Sequence, residues 1–245
     1  MVGPFILTSA ALAEAAALVE ASDYPDGLPV SVVVSSPAAI TPTLEAVADP
    51  RLHLEALEVK LSSESTIVEQ IEQIATTTPS GVPTYVEMPR PGHPEWLHGL
   101  RAVAEGGLHL KFRTGGTEAE AFPTEDELST WIKDAVSRDI AFKCTAGLHN
   151  AVRHTAASTG FEHHGYLNIL LAALEARQGA DLERLSTTLA ERDGARLADA
   201  LRAAGHRDVI AARATFLSYG SCSIHEPLDD LAALNLLDNR IWENA

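Results

Sequence analysis

Short apolar runs and amphipathic helical stretches alternate along the first 145 residues of the chain. The runs are rich in Val and Leu, a composition typical of buried strands, and turn residues separate them from the helical stretches. They predict five strands, at residues 30–35, 53–61, 83–88, 108–113 and 140–145. Strands that alternate with helices at intervals of roughly 25 to 30 residues indicate a parallel sheet.

The fold class predicted by this alternation is α/β. Five successive units without a G-x-G-x-x-G after the first strand favour a TIM-barrel-like fold over a dinucleotide-binding sheet. After His154 the rhythm changes, and the pattern predicts three helices and a late strand, at residues 162–177, 181–191, 195–204 and 215–219. We therefore expect a single α/β barrel-like domain over residues 1–245, incomplete or irregular, with six to eight mainly parallel strands.

Charged side chains alternate with apolar ones within the predicted strands, so each strand has an apolar and a polar side. The apolar side is expected to pack under the helices and includes Leu57, Val59, Val86, Leu110, Phe112 and Phe142. The polar side carries Glu58, Lys60, Glu87, Lys111, Arg113 and Lys143 near the strand ends. In a barrel these residues would converge at the C-terminal end of the strands, where barrel active sites lie. In an ordinary half-buried sheet the same polar side would simply face water.

Composition and charge argue against several classes of function and location. The chain of 245 residues has a formal net charge of -16, which argues against a nucleic-acid-binding surface. Two cysteines are too few for a disulfide framework and favour a reducing, cytoplasmic compartment. The apolar opening lacks a basic region, so we expect no signal peptide, no transmembrane span and no membrane partner. The sequence leaves the oligomeric state open, a homo-oligomer included.

Lys143 and Lys111 are the strongest candidates for catalysis. Burial and a second nearby ammonium group both lower the pKa of a lysine, and a neutral amine can attack a carbonyl. Glu87, on the preceding predicted strand, could balance the charge or transfer protons. The alternative is a set of buried structural ion pairs, Glu58–Lys60 and Glu87–Lys111. Lys60 is also a candidate substrate-binding cation.

Two short motifs are candidate anion sites. In K-F-R-T-G-G, Arg113 offers a bidentate fork, and Gly115 and Gly116 would let backbone N–H groups approach a phosphate or carboxylate. In G-S-C-S before a predicted helix, Ser221 and Ser223 would line a second phosphate cradle, although plain helix capping explains this motif equally well. Cys222 is disfavoured as a nucleophile because the sequence identifies no histidine partner for it.

Histidines cluster after the fifth predicted strand, but their spacing fits no standard zinc motif, so no metal is expected. His149 or His164 could transfer protons or donate to a substrate. Asn168 follows His164 by one turn of the predicted helix, so both could reach a common ligand, and Arg153 adds a cation. A polar helix end is the alternative.

F-K-C-T-A-G-L, residues 142–148, resembles the F-I-K-T-S-T-G strand of class I, Schiff-base aldolases of the deoxyribose-phosphate type. The resemblance implies a TIM barrel with Lys143 as the imine lysine and Lys111 as its companion, although in that family the companion lysine follows the imine strand. The resemblance also implies that K-F-R-T-G-G and Y-G-S-C-S bind phosphate. K-C-T-A-G-L-H-N is more faintly similar to the K-T-T-P-G-L-R segment of quinolinate phosphoribosyltransferases.

The expected function is therefore a lyase of the aldolase type that acts on a small anionic carbonyl compound by lysine chemistry, without a cofactor. A phosphoribosyltransferase-like enzyme and a non-catalytic module that binds an anionic metabolite are the alternatives.

Overall fold

The computed structural model describes residues 3–20 and 22–237; residues 1, 2, 21 and 238–245 of the expected domain lie outside them. The chain divides into two compact units, with the boundary between Lys111 and Phe112 inside one strand. Each unit is held by its own core, and the single domain expected for the whole chain stays a prediction. No helix within the described ranges is long and apolar enough to cross a membrane.

The first unit is a parallel sheet whose strands pair in the order of the chain. Its strands are β1 (Phe5–Thr8), β2 (Leu28–Val34), β3 (Leu52–Lys60), β4 (Thr84–Glu87) and β5 (His109–Arg113). The connecting helices are α1 (Leu12–Leu18), α2 (Ile40–Val47), α3 (Ile67–Thr77) and α4 (Trp96–Glu105). Each βα connection returns the chain to the same end of the sheet, as a parallel arrangement requires.

The second unit begins with the last two residues of β5 and is mainly helical. Its strands are β6 (Phe142–Thr145), the short antiparallel pair β7 (His154–Thr155) and β8 (Glu162–His163), and β9 (Phe216–Tyr219), which pairs in parallel with β6. Its helices are α5 (Glu125–Ser137), α6 (Tyr166–Arg177), α7 (Leu182–Ala190), α8 (Gly194–Ala203), α9 (His206–Thr215) and α10 (His225–Ala233).

Local sequence explains where the helices start and what they cover. Thr124 and Glu127 form the capping box predicted for α5, in which each side chain accepts a hydrogen bond from the other residue's backbone N–H. Trp131 of α5 stacks on Phe112, with ring centroids 4.9 Å apart. Helix α6 is apolar on all sides and buried along nearly its whole length, so it forms the centre of the second unit.

The predicted fold class is confirmed: an α/β, incomplete TIM-barrel-like fold with seven strands in parallel ladders, within the expected six to eight. The predicted core is also confirmed, because Leu57, Val59, Val86, Leu110, Phe112 and Phe142 are all fully buried.

One predicted helix needs correction, and two elements were missed. The helix expected over residues 162–177 begins only at Tyr166, because Glu162 and His163 pair with β7 and Gly165 is extended. His164 therefore does not lie on the same helix as Asn168. Strand β1 and helix α9 were not predicted. Both are largely exposed; β1 is an apolar segment of only four residues, and α9 has no apolar stripe.

Candidate active site

The polar side of the first unit carries a row of charged residues near the ends of β3, β4 and β5. Lys60 is in register with Glu87, and Glu87 is in register with Lys111. Glu58 lies two residues before Lys60 and so projects from the same side of β3. The alternation in the sequence therefore placed these four side chains on one side of the sheet, as the structure of this unit has them.

Lys111 lies between two carboxylates. Its Nζ is 3.0 Å from Glu58 Oε2 and 2.9 Å from Glu87 Oε2, and both Lys111 and Glu58 are buried. The Glu87–Lys111 ion pair, given above as a structural alternative, is formed. The Glu58–Lys60 pair is not formed within the described residues, because Glu58 contacts Lys111 instead. Ser31 Oγ donates a 2.8 Å hydrogen bond to Glu58 Oε1 and helps to fix that carboxylate.

Two neutral groups lie beside this cluster on the same rows of the sheet. Tyr85 is in register with Glu58, and its pKa is raised, mainly by burial and further by the negative charge of Glu58. His109 is in register with Tyr85, with ring centroids 5.3 Å apart, and burial lowers its pKa. The first unit thus holds a Glu–Lys–Glu cluster, buried at Glu58 and Lys111 and half-buried at Glu87, beside an uncharged phenol and imidazole.

Lys143 lies in the second unit, near the end of β6. It is only 4% exposed, and its neighbours Phe142 and Cys144 are completely buried. Burial raises the pKa of the Cys144 thiol, so this cysteine is inert at neutral pH. Thr145, two residues on, projects to the same side as Lys143, and its buried Oγ1 has no hydrogen-bond partner among the described residues. Lys111 belongs to the first unit, so its predicted proximity to Lys143 stays a prediction.

The loop after β5 is fastened to the loop after β6. Thr114 donates from its backbone N–H to Thr145 O at 2.8 Å and from its hydroxyl to Ala146 O at 2.7 Å. A Cβ on Gly115 would lie 2.8 Å from the Phe122 ring and 3.2 Å from Gly147 Cα. Close packing therefore accounts for Gly115, whereas the proposed anion cradle here stays a prediction.

Arg113 and Gly116 are the two other residues of this candidate anion site. Arg113 is exposed, and no described residue forms an ion pair with it. Gly116 is as crowded as Gly115, because a Cβ there would lie 2.7 Å from Ala121 Cβ. Of the two cations in this motif, Lys111 is paired with Glu58 and Glu87, which leaves the Arg113 guanidinium as the candidate to meet an anion.

The serines of the G-S-C-S motif are engaged in the turn before α10. Ser221 Oγ donates to Ser223 O at 2.7 Å and accepts from Ser223 N at 3.1 Å. Ser223 Oγ accepts from the backbone N–H of Glu226 in the first turn of α10. These bonds are those of the capping alternative, and phosphate binding by Ser221 and Ser223 stays a prediction.

His149 has two partners that its sequence position did not reveal. Its Nδ1 lies 2.9 Å from Glu226 Oε2, and its Nε2 lies 3.5 Å from Cys222 Sγ. The hydrogen bond from His149 is the main cause of a lowered pKa at Glu226. The histidine partner that Cys222 lacked in the sequence is therefore His149, which lies 73 residues earlier in the chain.

Arg153 and His164 belong to a buried polar cluster. Arg153 Nη2 forms ion pairs with Glu125 at 2.8 Å and Glu162 at 3.3 Å, while its Nη1 lies 3.2 Å from His164 Nδ1. His164 Nε2 lies 2.8 Å from Pro123 O. Since that carbonyl can only accept, Nε2 carries the hydrogen and Nδ1 accepts from Arg153. Burial, the largest cause, lowers the pKa of His164 to about 4.

His164 should make the protein sensitive to mild acid. Its pKa falls from 6.5 to about 4 on folding, so the unfolded chain binds the extra proton between those values and stability is lost as the pH falls through them. This loss amounts to about 3 kcal/mol, since one pKa unit corresponds to about 1.4 kcal/mol. We expect His164→Gln to flatten the dependence of the unfolding free energy on pH between 6.5 and 4 in urea titrations. Equal slopes for variant and wild type would show that His164 is not buried as a neutral group.

Asn168 is fully buried, and its amide is occupied by three backbone groups. Its Oδ1 accepts from Arg153 N at 2.9 Å, and its Nδ2 donates to Thr188 O at 2.9 Å and to Glu191 O at 2.8 Å. These contacts join the loop after β6 to the end of α7. The amide has no free donor for a ligand in this arrangement, so the predicted substrate contact of Asn168 is not part of the site that we propose.

A cavity of about 320 Å³ lies beside this cluster. Polar residues such as Asn150, Arg153 and Asp230 and the apolar residues Val152, Ala233 and Leu234 line it. Within residues 3–20 and 22–237, no group of three or more His, Cys, Asp or Glu side chains is arranged to hold a metal ion.

In comparisons with known proteins, no protein family, curated protein or solved structure matches the chain.

Proposed function

We propose that the chain is an enzyme that acts on a small anionic carbonyl compound through the amine of Lys143. The observation that carries the proposal is the burial of Lys143, at 4% exposure, near the C-terminal end of the parallel strand β6. A lysine amine at such a position is the usual nucleophile of enzymes that form imines with carbonyl substrates. Active sites of barrel-like folds lie at this end of the strands.

The neighbouring groups support this chemistry. The amine would attack the substrate carbonyl carbon, and loss of water from the resulting carbinolamine would leave an imine on Nζ. The unpartnered hydroxyl of Thr145, on the same side of β6, is a donor for the carbonyl oxygen. Arg113, exposed at the end of β5, would bind a carboxylate or phosphate through a charge-assisted fork.

The remaining roles are narrower than those inferred from sequence. Lys111 and Glu87 form ion pairs within the first unit, and we propose for them a structural role there in place of catalysis. The two cysteines are free, which fits the proposed reducing, cytoplasmic location. We also propose that the reaction is of the aldolase type and needs no cofactor.

The test is reductive trapping. Wild-type protein incubated near pH 7 with pyruvate or acetaldehyde and then treated with borohydride should carry one adduct on Lys143, located by peptide mass mapping. Lys143→Met should lose that adduct. The matched control is Lys133→Met, which removes a half-buried amine of α5 that donates to Ala180 O and should leave the trapping on Lys143 unchanged.

Two outcomes would count against the enzyme. Adducts confined to Lys133 or the chain's α-amino group would mean that Lys143 is not the nucleophile. The second outcome would support a binding protein that needs only positive charge. In that case Lys143→Arg would keep its affinity for pyruvate in equilibrium titration, and the wild type would show no trapping. An enzyme should lose imine formation in that variant because a guanidinium is not a nucleophile at neutral pH.

A further inference from the structure

A second candidate centre lies in the loops that follow β6 and β9. His149 comes from the first of these loops, Cys222 from the second, and Glu226 from the first turn of α10. Gly220 N donates to Cys144 O at 2.9 Å, which extends the β6–β9 ladder and brings the two loops together. The backbones of the two loops are therefore anchored to each other at the end of this ladder.

The hydrogen bonds define which nitrogen of His149 is basic. The carboxylate of Glu226 only accepts, so the Nδ1 at 2.9 Å carries the hydrogen of a neutral ring. Nε2 is then the free base, and it is the ring nitrogen nearer to Cys222 Sγ, at 3.5 Å against 3.9 Å for Nδ1. These nearly equal distances place the sulfur over the ring face. The thiol must turn towards the ring plane for transfer, which an exposed side chain can do by rotation about χ1.

A role in stability does not explain this group. Cys222 is exposed, and the Glu226 side chain is 55% exposed, so their contacts with His149 are screened by water and contribute little to folding. Cys144 provides the contrast: it is completely buried, and burial raises its pKa. Of the two cysteines, only the one beside a basic imidazole is accessible to a reagent.

We propose that Cys222, His149 and Glu226 form a thiol site that accepts acyl groups from small esters. Nε2 of His149 takes the thiol proton as Sγ forms a bond to the ester carbonyl carbon. The bond between that carbon and the alcohol oxygen breaks, and the imidazolium returns the proton to the leaving oxygen. Water then attacks the thioester, releasing the carboxylic acid and the thiol. Ile224, 53% exposed and two residues from Cys222, offers an apolar contact for the acyl group.

The experiment uses p-nitrophenyl acetate at pH 7 with the full chain under reducing conditions. We expect a burst of p-nitrophenolate approaching one equivalent, with the acetyl group on Cys222 in the peptide map. Cys222→Ala should abolish the burst. His149→Gln should slow it at least a hundredfold, since general base catalysis contributes about 10² to 10⁴. Glu226→Gln should slow it less, because it only orients the ring.

Asp229→Asn is the matched control for Glu226→Gln, because it changes an exposed acid on the same helix and should leave the burst rate unchanged. Iodoacetamide provides a second measurement that does not depend on ester binding, and His149→Gln should slow alkylation of Cys222 at least tenfold. The proposal is overturned if Cys222 reacts with both reagents equally fast in the wild type and in His149→Gln. It is also overturned if no acetyl group reaches Cys222.

Discussion

Replacing Lys111 with methionine should lower the free energy of unfolding by about 3 to 5 kcal/mol, the usual cost of removing one partner from a buried ion pair. Methionine fills a similar volume, so the loss is electrostatic. Glu58 and Glu87 would lose the cation that they share at 3.0 and 2.9 Å. Urea denaturation followed by circular dichroism gives the difference directly.

Two further variants separate charge from packing in this cluster. Lys60→Met changes the neighbouring lysine of the same row, which has no ion pair within the described residues, and should cost no more than about 0.5 kcal/mol. Adding Glu58→Gln and Glu87→Gln to Lys111→Met should recover part of the lost stability, because the cluster is then uncharged. If Lys60→Met and Lys111→Met were equally damaging, the ion pairs of Lys111 would not be the cause.

Asn168→Asp should be the most damaging isosteric substitution in the second unit, with a loss of about 3 to 5 kcal/mol or failure to fold. The change leaves the shape of the side chain unaltered. It replaces the Nδ2 donor by a carboxylate oxygen that faces the carbonyls of Thr188 and Glu191, at a completely buried position. Two hydrogen bonds become repulsive contacts, and a charge is buried without a partner.

Gln73→Glu provides the comparison, because it makes the same amide-to-carboxylate change on an exposed face of α3 and should cost no more than about 0.5 kcal/mol. Both variants are measured by urea denaturation at pH 7, with expression of soluble protein as a first indicator. A wild-type midpoint for Asn168→Asp would show that the two carbonyls do not depend on this amide.

The parts of the fold that were predictable are those that repeat a local pattern. Strands and helices alternate regularly in the first unit, and the alternation of side chains within β3, β4 and β5 places Glu87 and Lys111 on one side of the sheet. The capping box at Thr124 is a four-residue signal and was found for the same reason. These features depend on a few neighbouring residues, so the local sequence pattern is sufficient to predict them.

The elements that escaped prediction have weak local signals. Only Ala212 and Thr215 of α9 are buried, so no apolar stripe marks this helix. The strands β7 and β8 have two residues each and are defined by their pairing. Because Glu162 and His163 belong to β8, α6 begins at Tyr166 and not at residue 162. In both places tertiary contacts decide the structure, and a window of neighbouring residues does not contain them.

For the candidate sites too, features set by neighbouring residues were predictable and features set by distant residues were not. The burial of Lys143 could be inferred from its apolar strand, and the structure has it at 4% exposure. The partnership of Cys222 with His149 spans 73 residues and depends on the pairing of β6 with β9. The roles of Arg153, His164 and Asn168 are likewise set by distant backbone groups, so their residue types indicated polarity without indicating which partners satisfy it.

The close approach of the loops after β5 and β6 also bears on how this sequence can evolve. Gly115, Phe122 and Gly147 share one small volume, because any side chain at Gly115 meets the Phe122 ring at 2.8 Å and the Gly147 backbone at 3.2 Å. A larger residue at position 115 is accommodated only if the ring at position 122 becomes smaller. Substitutions at positions 115 and 122 are therefore coupled, and this coupling acts on the loops that follow the strands of Arg113 and Lys143.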